Sequence, residues 1–512
     1  MKRFLSVLLC AALVLALAGC YRERPDYTPT GDGLSGDEPT RPSESPVTEQ
    51  AMALAYFPNR SLNPLESTDY TNRMIFDLVY QGLFTVDEKY NAVPVLCEKF
   101  TVSRDMKRYT FYPARASFSD GTVLTAADVA ASLQAAMAGG YYAGRFSQVQ
   151  AISLTDDGGV LVELKTPYEH FELLLDVPIV KAAQVEHERP LGTGAYLYET
   201  YAGQLRLRRR SGWWCAAALV INAQVISLVE GENPGQLRDE FQSGNLSLVC
   251  ADPGSVQYAE FHSDYELWDC ENGVFLYLGC NMKSPVLSNQ SIRAALTYAI
   301  DRAAIVEQNY RGFAYATALP TSPQSPWYAK TLANRVSLNP ERLTQAVELA
   351  QLESNTLTLL VNTDDGVRLR VARQIAQALS QCGLKVTTAE KDSASYLAAL
   401  SAGEFDLYLG QTKLSPNMDL TAFFAPEGAL SYGSISSTAM HTLCLEALAN
   451  SGNYYTLQQK LLENAQIVPI LFRSYAIFAQ RGAFEDLFPA RDHIFFYSIG
   501  TELDKIRQEV AS

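Results

Sequence analysis

The stretch that most constrains the fold is 357–409, where short apolar runs alternate with helical periodicity. Residues 357–361 read as a strand and Asn362-Thr363-Asp364-Asp365-Gly366 as a loop. Residues 367–380 follow as an amphipathic helix, with Val371, Ile375 and Leu379 on one face. Gly383 ends that helix, 384–388 is the next strand, 396–402 a second helix and 405–409 a third strand. Strands joined in this way run parallel, with right-handed crossovers. The fold class is therefore α/β. In open parallel sheets, ligands approach the carboxyl ends of the strands. Here those ends are 362–365 and 410–413, which makes Asn362, Asp364, Gln411 and Lys413 candidate binding residues.

At 512 residues the chain is too long for one compact core, so two or more lobes are expected. Residues 274–281 form an apolar β run, broken by Pro285 and by Ser288-Asn289, which can cap a helix. A single helix is expected over 291–310, ended by Gly312. It places Ile292, Ala295, Leu296, Ala299, Ile300 and Ala303 on one face, with Arg293, Asp301 and Arg302 as its main charges.

The N-terminal half reads as β-rich. Strands are expected at 52–57, 92–100, 109–111 and 117–118, with a helix at 71–80. Thr125 and Asp128 give a capping-box start to a helix reaching about 138. Asp156-Asp157-Gly158-Gly159 turns a hairpin over 151–164. Arg206, Arg208, Arg209 and Arg210 lie on a strand whose Leu205 and Leu207 should face inward. Further strands are expected at 221–228, 247–250 and 265–269. Tyr142, beside Tyr141, can either reach a cleft or pack on the surface.

Lys2 and Arg3 precede an apolar run over 4–18, then Gly19-Cys20. This is a charged leader with an apolar segment too short for a typical spanning helix. Residues 21–49 are polar and rich in Pro, Ser, Thr, Gly and acids, as in a flexible tether. The Gly31-Asp32-Gly33-Leu34-Ser35-Gly36 match to a dinucleotide fingerprint has no strand before it and no helix after it. The net charge of -15 and the lack of a basic cluster argue against nucleic acid. None of the nine cysteines forms Cys-x-x-Cys, so no zinc site is expected, and most should be small buried hydrophobes; one disulfide stays open. No Gly-x-Ser-x-Gly, His-Glu-x-x-His, Walker A or EF-hand spacing occurs. No catalytic residue, cofactor or metal is expected.

Several stretches together resemble the bacterial family 5 extracellular solute-binding proteins, the peptide- and nickel-type receptors of ABC importers. They are the Leu62-Asn63-Pro64 turn, Phe118-Ser119-Asp120-Gly121 through Val129, Gly192-Thr193-Gly194-Ala195-Tyr196, Ile292 through Arg302 with Gly312, and the return strand at 465–472. Leu17-Ala18-Gly19-Cys20 is similar to a bacterial lipobox, which implies cleavage before Cys20 and its lipidation. The resemblance implies a two-lobed, hinged periplasmic-binding-protein-like clamshell with an extra subdomain in the first lobe. Its expected parts are a signal peptide at 1–19, a tether at 20–50, a first lobe at 51–280 with the subdomain at about 92–190, a second lobe at 281–472, and a return at 473–512.

The expected function is a monomeric, lipid-anchored, extracytoplasmic receptor. It would take a peptide or similar small polar solute and deliver it to a permease and its ATPase. The alternative is a surface lipoprotein that keeps the fold as an interaction or signalling module. The resemblance places Tyr56 to Asn59 at the cleft, and Tyr475 on the strand crossing back to the first lobe. In 410–424 the chain departs from the family's peptide receptors. Asp419 matches an Asp-Pro carboxylate, but there is no Trp, and the amine-binding position falls on Pro416 or Leu414. Asn417 and Asp419 stay candidates. Lys413 would repel an ammonium group and attract a carboxylate or phosphate, so it is expected to face the cleft.

Overall fold

The computed structural model describes residues 52–215, 223–255, 258, 261, 264–484, 487, 489–491 and 493–495. The leader, Cys20, the tether and its glycine-rich match lie outside these residues. Strand β1 (Met52–Tyr56) opens the first lobe and buries Leu54 and Tyr56. Helix α1 (Tyr70–Val79) starts where the Asp69 carboxylate accepts from the Asn72 amide. Asn72 in turn pins the loop after β1. Its Oδ1 accepts from the Phe57 amide at 2.7 Å and its Nδ2 donates to the Phe57 carbonyl at 3.1 Å.

Strands β2 (Phe84–Val86) and β3 (Ala92–Pro94) pair together. Next come β4 (Cys97–Val102), β5 (Arg108–Pro113), helix α2 (Ala126–Ala138), β6 (Val149–Leu154) and β7 (Val160–Leu164). The four strands form an antiparallel sheet in the order β4-β5-β7-β6. Thr125 and Asp128 cap α2 reciprocally, as expected. Strands β8 (Tyr196–Tyr201), β9 (Gln204–Arg209) and β10 (Val225–Glu230) join β1 in the order β1-β10-β9-β8. Leu207 is fully buried and Leu205 partly so, while Arg206 and Arg208 share Glu199 on the opposite face. Both sheets feed one core, which includes Leu54, Phe111, Val160 and Ile226. Helix α3 (Pro234–Gln242) packs Leu237 and Phe241 beside Val249 of β11 (Leu248–Ala251).

The two strands expected at 265–269 and 274–281 are one. β12 (Tyr265–Cys280) runs for 16 residues, roughly 50 Å at the usual rise. Glu271-Asn272-Gly273 has turn composition, yet Gly273 at φ 71 forms a bulge and the strand continues. The helix expected over 291–310 is likewise two, α4 (Gln290–Ala299) and α5 (Arg302–Tyr310). The charges at the break explain it. Asp301 accepts from the Ala304 amide at 2.9 Å and starts α5, while Arg302 donates to Thr297 O of α4 and to Pro469 O, both at 2.8 Å. Arg293 is buried and donates to Leu287 O. Ala303 is exposed, and Ile305 and Tyr310 take the buried positions instead.

Besides single-turn helices at Lys330–Ala333 and Thr421–Phe424 and short 3-10 turns, there follow β13 (Ala314–Ala316), α6 (Glu341–Ala350), β14 (Thr356–Asn362), α7 (Gly366–Gln381), β15 (Lys385–Lys391), α8 (Ser393–Ala402), β16 (Leu407–Lys413), α9 (Thr438–Ala449), α10 (Tyr454–Asn464) and β17 (Ile467–Gln480). β14 runs parallel to both β15 and β16, as the alternating pattern requires. The sheet order is β11-β17-β12-β16-β14-β15, with β13 on β17. α4, α5 and α7 cover one face through Ile292, Leu296, Ile305, Val371 and Ile375. α8, α9 and α10 cover the other through Leu400, Met440 and Leu457.

β12 and β17 pass out of this second core into the first lobe. There Cys270, Ile477 and Ala479 join the larger core, and Ala476 and Phe478 join that of α3. The result is an α/β, two-lobed, periplasmic-binding-protein-like fold. Among the described residues, no helix is long and apolar enough to cross a membrane, and no disulfide joins the seven described cysteines.

Candidate functional site

One face of the long sheet changes character along its length. On β16 it reads Leu407, Leu409, Gln411, Lys413, and on β17 Leu471, Arg473, Tyr475. The leucines belong to the core under α4, α5 and α7. Strand periodicity carries the polar members onto the same face where it leaves that cover. There the sheet meets α1 and the segment after α2 from the first lobe.

Arg473 is the centre of this polar end. Its Nη1 donates to Gln411 Oε1 at 2.7 Å, and its Nη2 pairs with Asp252, the residue after β11. Asp365 lies at 3.5 Å on the second-lobe side. Burial pulls the guanidinium down, and Asp252, Tyr310 and Asp365 more than offset it, so its pKa is raised. Burial raises the Asp365 carboxyl, and Arg473 and Arg368 hold it below the usual range. Nearby, Arg370 donates to Gly254 O at 3.0 Å, and Arg311 donates to Pro253 O. A first-lobe loop thus sits on α5 and α7.

Two residues further along the strands, aromatic rings and cations meet. Tyr475 stacks on Tyr70 of α1, with centroids 3.9 Å apart. Arg73, one turn on from Tyr70, lies 3.7 Å from the Tyr141 ring centroid and donates to Tyr142 Oη at 2.7 Å. Lys413 reaches the same Tyr141 ring from the second lobe, at 5.1 Å. It is half-buried against the first lobe.

The other expected site residues lie elsewhere. Tyr56 is buried and donates to Glu230 Oε1 at 2.7 Å; Asn59 is exposed in the turn after β1. Tyr142 is buried beneath Tyr141, and burial raises its hydroxyl's pKa. Asn362 Nδ2 donates to Ser393 Oγ at 2.7 Å, and Asp364 accepts from the Ser393 amide at 2.9 Å. Both fix the start of α8, and neither bonds Arg473. Asn417 is buried, donating to Tyr168 Oη and accepting from Tyr454 Oη. Asp419 turns inward to accept from the Thr421 amide at 2.7 Å, and burial raises its pKa. The structure thus gathers Gln411, Lys413 and Tyr475 with Asp365 of the 362–365 loop and Tyr141 beside Tyr142, and adds Arg473, Asp252, Tyr70 and Arg73, which sequence reasoning missed. The polar positions at i+2 after Leu409 and Leu471 were the available signal.

Further bonds join the lobes beside the bulge. Glu271 of β12 accepts from Tyr90 Oη of the first lobe and Ser322 Oγ of the second. Burial raises its carboxyl, against those bonds and Arg491. A Cβ at Gly273 would stand 2.6 Å from Arg491 Nη2, so both φ and packing require glycine there. Glu169 accepts from the Ser451 amide at 2.6 Å and donates its own amide to Leu448 O at 2.6 Å. Three cavities stand out, and none of the three lies between the lobes. One of about 310 Å³ lies beside α5, one of about 280 Å³ at the end of β9, and one of about 10 Å³ beneath Arg73 and Tyr142.

A clamshell with two linking strands and a polar, aromatic-lined junction is the architecture of a binding protein. Residues 91–428 match the profile of "Bacterial extracellular solute-binding proteins, family 5 Middle". The chain belongs to the bacterial extracellular solute-binding proteins, family 5. It is 25% identical over 385 residues to the glutathione-binding protein GsiB of Escherichia coli (strain K12), covering 72% of this chain and 73% of that protein. Its fold is similar to the oligopeptide-binding protein AppA of Bacillus subtilis, solved with a nonapeptide, at TM-score 0.63 and 20% identity over 88% of this chain and 98% of that one. It is also similar to NikA of Brucella suis, solved with Fe(III)-EDTA, at TM-score 0.69 and 17% identity over 87% and 98%.

Proposed function

We propose that this protein is the lipid-anchored receptor of an ABC importer. It captures a short peptide or similar small polar solute between its lobes and presents the closed form to the permease and its ATPase. One observation carries the reading: β12 and β17 are shared by both lobes, and their register breaks at Gly273, beside the polar end of the sheet. Bending at a bulge can change the angle between lobes without unfolding either core. GsiB, AppA and NikA, which bind glutathione, a nonapeptide and a metal chelate, support a small polar solute. On this reading 51–280 and 473–512 form the first lobe, 281–472 the second, and the protein works as a monomer. The leader at 1–19 is removed, and Cys20 carries the acyl chains at the head of the tether. Fluorophores on the two lobes should move closer on addition of a bound solute; a constant distance across peptide, chelate and sugar panels would sink the reading. Metabolic palmitate labelling should disappear in Cys20→Ala.

The alternative, an interaction module that keeps the fold without transport, is favoured by one observation. Rings and side chains of the two lobes touch directly at the junction, Tyr475 on Tyr70 at 3.9 Å and Lys413 on Tyr141 at 5.1 Å. Partner capture without solute dependence would select this alternative.

A further inference from the structure

We propose that the first lobe docks on anionic phospholipid headgroups through the arginine strip of β9, and that this contact sets which face the tethered protein turns to the membrane. This rests on the receptor reading above, in which acylated Cys20 holds the chain at a bilayer. Residues 204–212 carry Arg206, Arg208, Arg209 and Arg210 and no acid, in a chain of net charge -15. Arg206 and Arg208 share Glu199, at 2.5 and 2.9 Å. Asp120 acts on Arg210 but is itself paired with Lys181. Counting Lys181, five cations meet two carboxylates, and the strip keeps a positive charge. Arg210 is committed to the fold, donating to Gly194 O at 2.9 Å and Phe118 O at 2.7 Å. Arg208 is exposed, and Arg206 and Arg209 partly so.

The sheet register places this strip beside the point where the chain enters the lobe. Met52 of β1 lies opposite Ile226 of β10, and Ile226 lies opposite Leu207 of β9. The entry is thus two strand spacings, about 10 Å, from the middle of the strip. The tether leads to that entry, so the strip is held at high local concentration beside the bilayer and weak contacts suffice. Basic side chains are drawn to anionic lipid within about a Debye length of the surface. Two features suit a bilayer better than a single small anion. Tyr201, at the hairpin joining β8 to β9, is 62% exposed, and Arg206 lies 4.0 Å over its ring. Such an amphipathic ring fits the headgroup region. At the other end of β9, about 20 Å away, Arg209 lines the cavity of about 280 Å³ with Ser211 and Gln224. The surface therefore offers contacts along the whole strand, with a seat for a headgroup at one end.

The test reconstitutes the full chain, purified from bacterial membranes in detergent, into vesicles of phosphatidylcholine alone or with about 30% phosphatidylglycerol. A donor dye sits on the first lobe or, in a separate sample, on the second, and the acceptor dye is in the bilayer. The expected result is that the first lobe lies closer to anionic vesicles than to neutral ones while the second does not, and that about 0.5 M salt removes the difference. Arg208→Gln combined with Arg209→Gln should lower the ratio of docked to undocked protein about tenfold or more, with a Tm near that of the unsubstituted protein. Tyr201→Ser should lower it a few-fold, and Lys460→Gln, on α10 of the second lobe, should leave it unchanged. If the first lobe keeps one distance in both vesicles, or the double variant docks as well as the original, the docking inference falls and the receptor reading stands. Release by inorganic phosphate at about 1 mM, too dilute to screen, would mark a site for a free anion and also overturn the inference. If the full chain stays on vesicles no better than Cys20→Ala, the anchor of the receptor reading falls and takes the inference with it.

Discussion

Two charge clusters in this molecule use the same residue types for different ends. One lies wholly inside the first lobe. Asp77 of α1 faces His493 Nδ1 at 2.8 Å and accepts from the Ile494 amide at 2.7 Å. Asp176 lies 3.6 Å from His493 Nε2 and pairs with Arg145. The other is the Arg473 cluster, whose partners come from both lobes. Exposure separates them: the Asp176 side chain is 1% exposed, whereas Asp252 is 31% exposed. A sealed cluster can rearrange only by leaving a charge without solvent or partner, which is very costly. A cluster with one wet carboxylate can exchange a partner for water. The first therefore fixes a lobe, and the second can serve a joint.

The largest effect should come from breaking the sealed cluster. Asp77→Ala removes the acceptor for His493 and two backbone amides, and should cost about 4 kcal/mol in chemical denaturation. His493 adds a pH signature. Burial lowers its pKa, but Asp77 and Asp176 raise it further, to about 9, against about 6.5 in an unfolded chain. A raised pKa means that folding favours the protonated form. The contribution is thus complete below about pH 6.5 and is lost as pH rises through about 9. Stability should fall across that window, and His493→Gln should flatten the fall. An unchanged slope in the variant would show that His493 does not carry it.

Arg473→Met should cost less, about 2 kcal/mol, because Asp252 can recover water when its partner goes. Its clearer effect should be on geometry: the interlobe distance should shift or broaden in fluorescence, which Asp77→Ala should not produce in the molecules that remain folded. An equal loss of stability with an unmoved distance would erase the distinction between the clusters.

Sequence patterns revealed much of the fold and little of the junction. The 357–409 alternation requires parallel strands because no other connection suits those lengths, and the α2 cap is local chemistry between Thr125 and Asp128. Both are settled by neighbours in the chain. The strands expected at 265–269 and 274–281 are one because Glu271-Asn272-Gly273 suits a turn and a bulge equally, and only pairing with β17 decides. Asp301 and Arg302 read as charges within a single helix, but Arg302's acceptor on Pro469 lies far along the chain. Arg473 could not be matched to Asp252 for the same reason. At 362–365 the carboxyl-end rule points to a loop that reaches the junction through Asp365 and not Asp364, since Asp364 accepts from the Ser393 amide.

The smallest effects give the sharpest comparison, because they match in stability and differ in kind. Thr125→Ala removes half of the α2 capping box, inside the first lobe, and should cost about 1 kcal/mol. Arg370→Ala removes a bond of 3.0 Å to Gly254 O, between the first-lobe loop and α7, and should cost about 0.5–1 kcal/mol. Thermal unfolding should barely tell them apart. Solute affinity and interlobe distance should, because only the Arg370 bond joins the two lobes. Loosening it should favour the open arrangement and weaken solute binding by a few-fold, while Thr125→Ala leaves both unchanged. If both variants alter closure equally, closure tracks global stability, and the Arg473 side of the molecule has no special part in it.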